Sequence, residues 1–400
     1  MESFSEAVFY RDTFAEVNLD CIAHNVHVIQ SILRPNTRLM AVVKSNAYGH
    51  GAIPVAKVAL DSGASYLGVA TLDEAIQLRK GGIKAPILVL GYVSSAHVQA
   101  ASDFNITLAV ISPEHAKQLL QAVQLLPSSH LKVHLKIDTG MGRLGIRTAD
   151  ELRLELKILS HPGINIEGAF THLAQADSGD LSYSVQQLEK ANFLFGLLRQ
   201  HVMYPEHLIL HVANSAGILE LPESHMNMVR LGISLYGVYP SRQVNRDRVR
   251  LQQALVLHSK IVYLKDVPAG TSIGYGGTFV AKRATMVATV PIGYGDGIPR
   301  SFSNHGFLTV RGQKCPILGR VCMDQIMLDV TKVRDVQEND IVTVYDHNTL
   351  EELSYIAGTI PYELLCAISP RVVRQYRYRS QTWTENPILH DKLIMNAIGL

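Results

Sequence analysis

Cysteine is scarce in this 400-residue chain, which has four: Cys21, Cys315, Cys322 and Cys366. None forms a C-x-x-C pair or has a histidine at zinc spacing, so a disulfide scaffold and a structural zinc site lose their basis and reduced thiols in a cytoplasmic protein are expected. Long hydrophobic runs are also missing: LMAVV at 39–43 and PILVLGYV at 86–93 are among the longest, far short of the ~18–20 residues that cross a bilayer. No membrane span is expected. Charge of one sign is lacking too, with 37 Lys and Arg against 35 Asp and Glu. That near-balance removes the field that would hold the protein on nucleic acid or an anionic membrane. The opening MESFSEAVFYRDTFAEVNLD is acidic and has no basic stretch followed by an apolar one, so export is not expected. Phosphate-loop, zinc-protease, serine-hydrolase and EF-hand patterns are absent, which takes away the usual support for those chemistries.

What remains is ordinary globular material, 47% apolar and 18% charged. Eight short apolar runs recur between helix-like stretches: 39–44, 66–71, 86–92, 106–112, 132–138, 165–173, 207–214 and 227–237. Runs that are apolar throughout, rather than alternating, are what parallel strands buried on both faces require. Thr148 and Glu151 spell a capping box, Asp20 is a candidate N-cap for the segment after it, and Gly63 and Gly81 stand where helices should stop. These features predict an α/β fold, an eight-stranded parallel β/α barrel of the TIM type. Beyond about Tyr239 the pattern changes to period two, as in LVLHSKIVYL, TMVATVPIG and DIVTVYD, which predicts a mostly-β C-terminal domain. The expected boundaries are 12–240 for the barrel and 241–400 for the β-rich domain, with an N-terminal strand in 1–11 that packs with the latter.

Catalytic groups of such barrels come from the C-terminal ends of the strands. Lys44, Lys136, His172, Asn214, Ser215 and Arg230 all fall there. Lys44 closes an apolar run, and a desolvated lysine is the neutral amine that Schiff-base chemistry needs. By position alone it reads equally well as a lysine snorkelling from the barrel mouth, and His172 and His211 read as hydrogen-bonded core residues. Gly140, Gly142 and Gly145 spell G-x-G-x-x-G, with Glu167 at the spacing of a dinucleotide site's acidic residue. The capping box places the next helix start beyond these glycines, whereas a dinucleotide loop opens the helix within them. An anion-binding loop containing Arg143 is the better reading.

At AVVKSNAYGHG (41–51) the sequence resembles the alanine racemases, and the likeness continues in order through HLKIDTGMGRLG, FTHLAQAD, HVANSAG, VRLGISLYG, SIGYGGTF, PIGYGDG and GRVCMDQ. It implies a pyridoxal 5'-phosphate enzyme that interconverts L- and D-alanine for peptidoglycan synthesis, working as a homodimer whose active site is shared between subunits. By the same resemblance, Lys44 is the Schiff-base lysine and one base, and Tyr275, delivered by the second subunit, is the opposing base. Tyr48, Asn214, Ser215, Gly232 and Ile233 would hold the cofactor, with His172 against its ring and Arg230 at its ring nitrogen. Arg143 and Met323 would meet the substrate. Lys136, which the family can carbamylate, would orient Arg143, while His211, Tyr294 and Asp324 support the site.

Three departures bear on substrate range. Pro370 stands where some members have a tyrosine, Gly277 where some have a tryptophan, and Leu231 where a proline is common. A serine or broad-specificity racemase is the alternative these suggest. A decarboxylase of related architecture and a non-catalytic cofactor carrier are further alternatives, the first disfavoured by Tyr275 opposite Lys44 and the second by the extra β domain.

Overall fold

The computed structural model describes residues 10–126 and 130–389. Two compact units result: Cys21–Ala47 with Ala52–Gln252, and the described residues up to Asp20 with Tyr48–Gly51 and those from Gln253 onward.

Strand β1 (Phe14–Asn18) alternates half-buried and buried residues, with Ala15 and Val17 inside. That period-two pattern suits a sheet with one covered face, not a barrel wall. It pairs antiparallel with β10 (Leu255–Lys260) and parallel with β19 (Val373–Tyr378). These residues therefore belong to the β-rich unit, with which the opening segment VFYRDTFAEVNLD is expected to pair, and the strand lies beyond the expected boundary at 11/12. The strand expected in 1–11 lies outside the described residues as far as residue 9, and Tyr10 and Arg11 are not in a strand.

The first unit is a closed barrel of β2 (Arg38–Val42), β3 (Tyr66–Val69), β4 (Ile87–Val89), β5 (Thr107–Val110), β6 (Leu131–Lys136), β7 (Ile164–Phe170), β8 (Ile209–His211) and β9 (Met228–Leu231). Neighbours are parallel and β9 closes on β2. All eight coincide with the apolar runs, and β3, β4 and β5 are buried along their whole length. Helices Leu72–Lys80 and Ala149–Leu159 each begin with a capping box, Thr71 with Glu74 and Thr148 with Glu151. Asp20 is not the cap of the first helix, Leu19–Gln30: Asn18 Oδ1 accepts from the Asp20 N–H at 3.1 Å, and the Asp20 carboxylate accepts instead from the Arg379 N–H. Gly63 takes positive φ after its helix, whereas at the next helix end Gly82 rather than Gly81 does so.

The register of β6 on β7 slips once, where Val133 faces Ile166 but His134 faces Gly168. Glu167 is the extra residue of this bulge, and a bulge re-aims the side chain it carries. Gly168 is obligatory, because a Cβ there would lie 2.2 Å from the Ile209 carbonyl oxygen and 2.8 Å from the His134 ring.

The second unit adds β11 (Tyr263–Val267), β12 (Ser272–Ile273), β13 (Phe279–Val280), β14 (Thr285–Val290), β15 (Phe307–Val310), β16 (Gln313–Pro316), β17 (Ile326–Asp329), β18 (Ile341–Tyr345) and β20 (Gln381–Glu385). Seven strands form one sheet in the order β16-β15-β18-β10-β1-β19-β20, three form β11-β14-β17, and β12 and β13 form a hairpin. Two short helices, Leu350–Ala357 and Pro361–Cys366, interrupt this β-rich stretch. Among the described residues no helix is long and apolar enough to cross a membrane.

Candidate active site

The barrel brings its polar residues together at the C-terminal ends of the strands. Lys44 follows β2, and the chain then makes a turn in which Ser45, Asn46, Ala47 and Tyr48 all have φ of 50–54°. Four consecutive non-glycine residues in this region form a left-handed helical turn, which L-residues disfavour by roughly 1–2 kcal/mol each. Local hydrogen bonds hold it: the Ser45 N–H donates to Glu74 at 2.6 Å and Asn46 Oδ1 accepts from the Ala52 N–H at 2.9 Å. Strain of this kind persists where surrounding structure over-determines it, and it clusters at functional sites. Tyr48 ends the turn buried, which raises its hydroxyl pKa, and its ring lies 6.1 Å from that of Tyr362.

Arg230 on β9 is 3% exposed. Its Nη1 donates to His211 Nδ1 and to the His211 carbonyl, each at 3.1 Å. Nη2 donates to the Thr171 carbonyl at 2.7 Å, the Val212 carbonyl at 2.9 Å and His172 Nδ1 at 3.3 Å. Nε has no acceptor among the described residues. Burial, then the Arg143 guanidinium, lowers its proton affinity, yet a guanidinium remains a cation at neutral pH. The same burial, followed by the charge of Arg230, holds His172 and His211 well below the ordinary histidine range, so both imidazoles are neutral.

Lys136 ends β6 and donates to the Ile137 carbonyl at 2.7 Å. Burial first and Arg230 second bring its pKa down to about 7, leaving much of the amine neutral and nucleophilic. The glycine loop after it is built on Asp138, whose Oδ1 accepts from the Gly140 and Gly142 N–H groups at 3.0 Å. The helix beyond starts after Thr148, which removes the dinucleotide reading. Arg143 sits exposed on this loop.

A second cluster can receive an anion. Asn214 caps the helix Ser215–Glu220 by accepting from the Gly217 N–H at 2.9 Å. The Ser215 hydroxyl oxygen accepts from the Gly232 N–H at 2.9 Å and the Ser234 N–H at 3.4 Å. Ile233 opens the next short turn, and the first N–H groups of a helix point outward without an internal partner. Hydroxyl and backbone donors at such ends suit a phosphate.

The β-rich unit carries the other expected residues. Tyr275 lies in a turn just beyond β12 and is 70% exposed, and Met323 is 51% exposed. Tyr294 opens a short turn that ends at the buried Asp296, on which Arg11 converges through both of its terminal nitrogens. Arg371 bridges Asp296 and Asp324, the latter at 2.6 Å, so Met323 sits beside an anchored residue. Pro370 is exposed. Sequence reasoning passed over His134, Tyr66 and Glu74, and set Glu167 aside with the dinucleotide pattern. Only the S/T-x-x-E spacing at Thr71 could have pointed to Glu74.

A lysine and a buried arginine at one barrel mouth, with a hydroxyl and amide cradle for an anion, define an enzyme of the barrel-plus-β-domain architecture. Family models described as alanine racemase, N-terminal domain, and alanine racemase, C-terminal domain, match residues 17–240 and 254–376. Alanine racemase 2 of Oceanobacillus iheyensis is 44% identical over 377 residues, covering 93% of this chain and 95% of that one. The alanine racemase of Methanococcus maripaludis is 42% identical, covering 91% and 98%. Among solved structures, the Clostridium difficile alanine racemase superposes with a TM-score of 0.90 at 36% identity, covering 96% of this chain and 100% of that one. The Bacillus anthracis alanine racemase with bound L-Ala-P does so at 0.90 and 38%, covering 96% and 99%. The chain belongs to the alanine racemase family.

Proposed function

We propose that the protein interconverts L- and D-alanine with pyridoxal 5'-phosphate, as a homodimer in the cytoplasm, supplying D-alanine for peptidoglycan. The observation that carries this reading is the Arg230 guanidinium: its two terminal nitrogens make five contacts on the protein, while Nε is left as a donor for a ring nitrogen.

The residues fit the cofactor by donor chemistry. Ser215, Gly232 and Ile233, with Tyr48, would hold its phosphate; Asn214 fixes the helix end on which Ser215 stands; His172 would lie at its ring, and Lys44 would bind it covalently. When bound, the cofactor disperses the electron pair left at the α-carbon once a proton departs. An arginine at the ring nitrogen is a poor proton donor, so it favours short-lived charge build-up over side reactions. Inverting an α-carbon needs a proton taken from one face and another returned to the opposite face, hence two bases. Lys44 Nζ serves one face, and the Tyr275 hydroxyl, brought by the second subunit, serves the other. Arg143, oriented by Lys136, and the Met323 backbone would fix the substrate carboxylate, with His211, Tyr294 and Asp324 as supports.

The test is the circular-dichroism signal of L-alanine, and separately L-serine, over time with cofactor-loaded protein and the Lys44→Ala variant. Decay of the alanine signal to zero, abolished in the variant, is expected. A flat alanine trace from protein that binds the cofactor overturns the reading, and faster decay with serine reassigns the substrate.

A further inference from the structure

Arg230 is a buried cation, and none of its hydrogen-bond acceptors is a carboxylate. A buried charge ordinarily demands a counter-charge. One is reached through a chain of side chains across the barrel. His211 Nε2 meets His134 Nδ1 at 2.8 Å, and His134 Nε2 lies 3.5 Å from Glu167 Oε2. The Tyr66 hydroxyl donates to the same carboxylate oxygen at 2.9 Å and the Thr107 hydroxyl at 3.2 Å. Each link comes from a different strand, from β3 round to β9.

Elementary donor counting fixes every proton in this chain. Arginine has donors only, so His211 Nδ1 must be the bare nitrogen and Nε2 carries the hydrogen. That hydrogen points at His134 Nδ1, which must then be bare, so the His134 proton sits on Nε2, facing Glu167. The carboxylate closes the series as a pure acceptor. Both imidazoles are fully buried and neutral. Burial raises the Glu167 pKa, but the contacts with His134, Tyr66 and Thr107 outweigh it and hold the group below the ordinary glutamate range. The chain therefore runs from an anion to a cation through two neutral rings, each restricted to one tautomer. Phe170 stacks on His211 at 4.9 Å with the planes 12° apart, which stops that ring from turning.

The bulge explains how a carboxylate comes to be there. Glu167 is the extra residue of β7, opposite the slip between Val133 and His134. Gly168 next to it leaves room for the His134 ring.

We propose that Glu167 is the counter-charge of Arg230, acting through His134 and His211, and that it locks both imidazoles in the tautomer that lets the arginine donate. Glu167 and His134 are positioning residues, three and two links from Arg230; the inference rests on the assignment of Arg230 to the cofactor ring. Replacing the carboxylate by an amide would let the terminal group donate, turn the proton order around and put an N–H against the arginine.

The test uses full-length, cofactor-loaded protein labelled with ¹⁵N-histidine, the two rings being assigned with His134→Gln and His211→Gln. NMR of the wild type is expected to show both as Nε2–H tautomers. In Glu167→Gln, a mixed or reversed His211 tautomer is expected, with kcat down at least about tenfold and KM for alanine little changed; a mis-set tautomer behind a catalytic group can cost up to ~10⁴ in kcat. Thr107→Val, which keeps the carboxylate, should leave the tautomers alone. A wild-type His211 protonated on Nδ1 overturns the proposal, even if Glu167→Gln does not fold. So does a Glu167→Gln variant with unchanged tautomers, whatever its kcat. The tautomers are read without turnover, so an inactive wild type with the expected protonation would overturn the racemase reading and leave the relay standing.

Discussion

The Ser45 N–H donates to Glu74 Oε1 at 2.6 Å, tying the left-handed turn after Lys44 to the first turn of the helix Leu72–Lys80. The other oxygen of the same carboxylate accepts from the Ala70 and Thr71 N–H groups at 2.8 and 3.2 Å. One side chain thus caps a helix and holds the residue next to the lysine. Glu74→Ala should cost about 1–2 kcal/mol, the size of a lost cap plus a charge-assisted bond. Urea unfolding checks the stability, and absorbance titration with pyridoxal phosphate should show weaker binding. Unchanged cofactor affinity in a destabilised variant would confine Glu74 to capping.

Glu155 lies inside the helix Ala149–Leu159, and neither carboxylate oxygen has a partner among the described residues. Burial, then the charge of Glu151, lifts its pKa to about 8. The folded state thus holds a proton that the unfolded chain releases near the ordinary glutamate value. Stability therefore falls as pH rises from about 4.5 to about 8 and levels off above that. Glu155→Gln should remove this slope, leaving the variant more stable than the wild type at pH 8. Thermal unfolding across that range decides it, and parallel curves for the two proteins would refute it.

Lys136 gives the opposite sign of dependence. Its pKa is about 7 in the folded protein, while the unfolded chain keeps its proton up to the ordinary lysine value of 10.5. Between those values the unfolded state binds more protons, so this group adds stability as pH rises. Lys136→Met should flatten that part of the profile. The neutral amine should also take up carbon dioxide: ¹³C-bicarbonate is expected to give a carbamate resonance in the wild type that Lys136→Met lacks.

Tyr275→Phe removes a hydroxyl from an exposed turn and should leave folding intact, as surface changes usually shift stability by no more than ~0.5 kcal/mol. Cofactor absorbance should persist. In deuterium oxide, α-proton exchange should collapse for one alanine enantiomer and survive for the other; equal loss for both would contradict a two-base assignment.

The barrel was legible because parallel strands buried on both faces leave unbroken apolar runs, and the Thr148–Glu151 capping box announces itself by spacing, as the unread Thr71–Glu74 box could have done. Strand-end positions led to Lys136, His211 and Arg230 for the same reason. The pairing of the opening strand with the β-rich domain was legible, but its boundary at residue 11 fell short of β1, because Ala15 and Val17 satisfy a strand pattern in any sheet while their partners near His258 and Val373 are far away in sequence. The Asn18 cap was missed by two residues because Asp20 is an equally good local candidate. Glu167 had no local signal: its inward turn comes from a register slip between two strands, and strand pairing is not written in either strand alone. Nor does SNAY announce a left-handed turn, since such residues enter that region only under tertiary constraint.

The reversed handedness at 45–48 also narrows which side chains evolution can sample there. Valine, isoleucine and threonine are out of place at positive φ, and the segment Ser-Asn-Ala-Tyr contains none of them. The lysine's neighbours are thus filtered by backbone shape before any contact with a ligand is considered. Variation at these sites across relatives should follow left-handed tolerance more closely than side-chain chemistry.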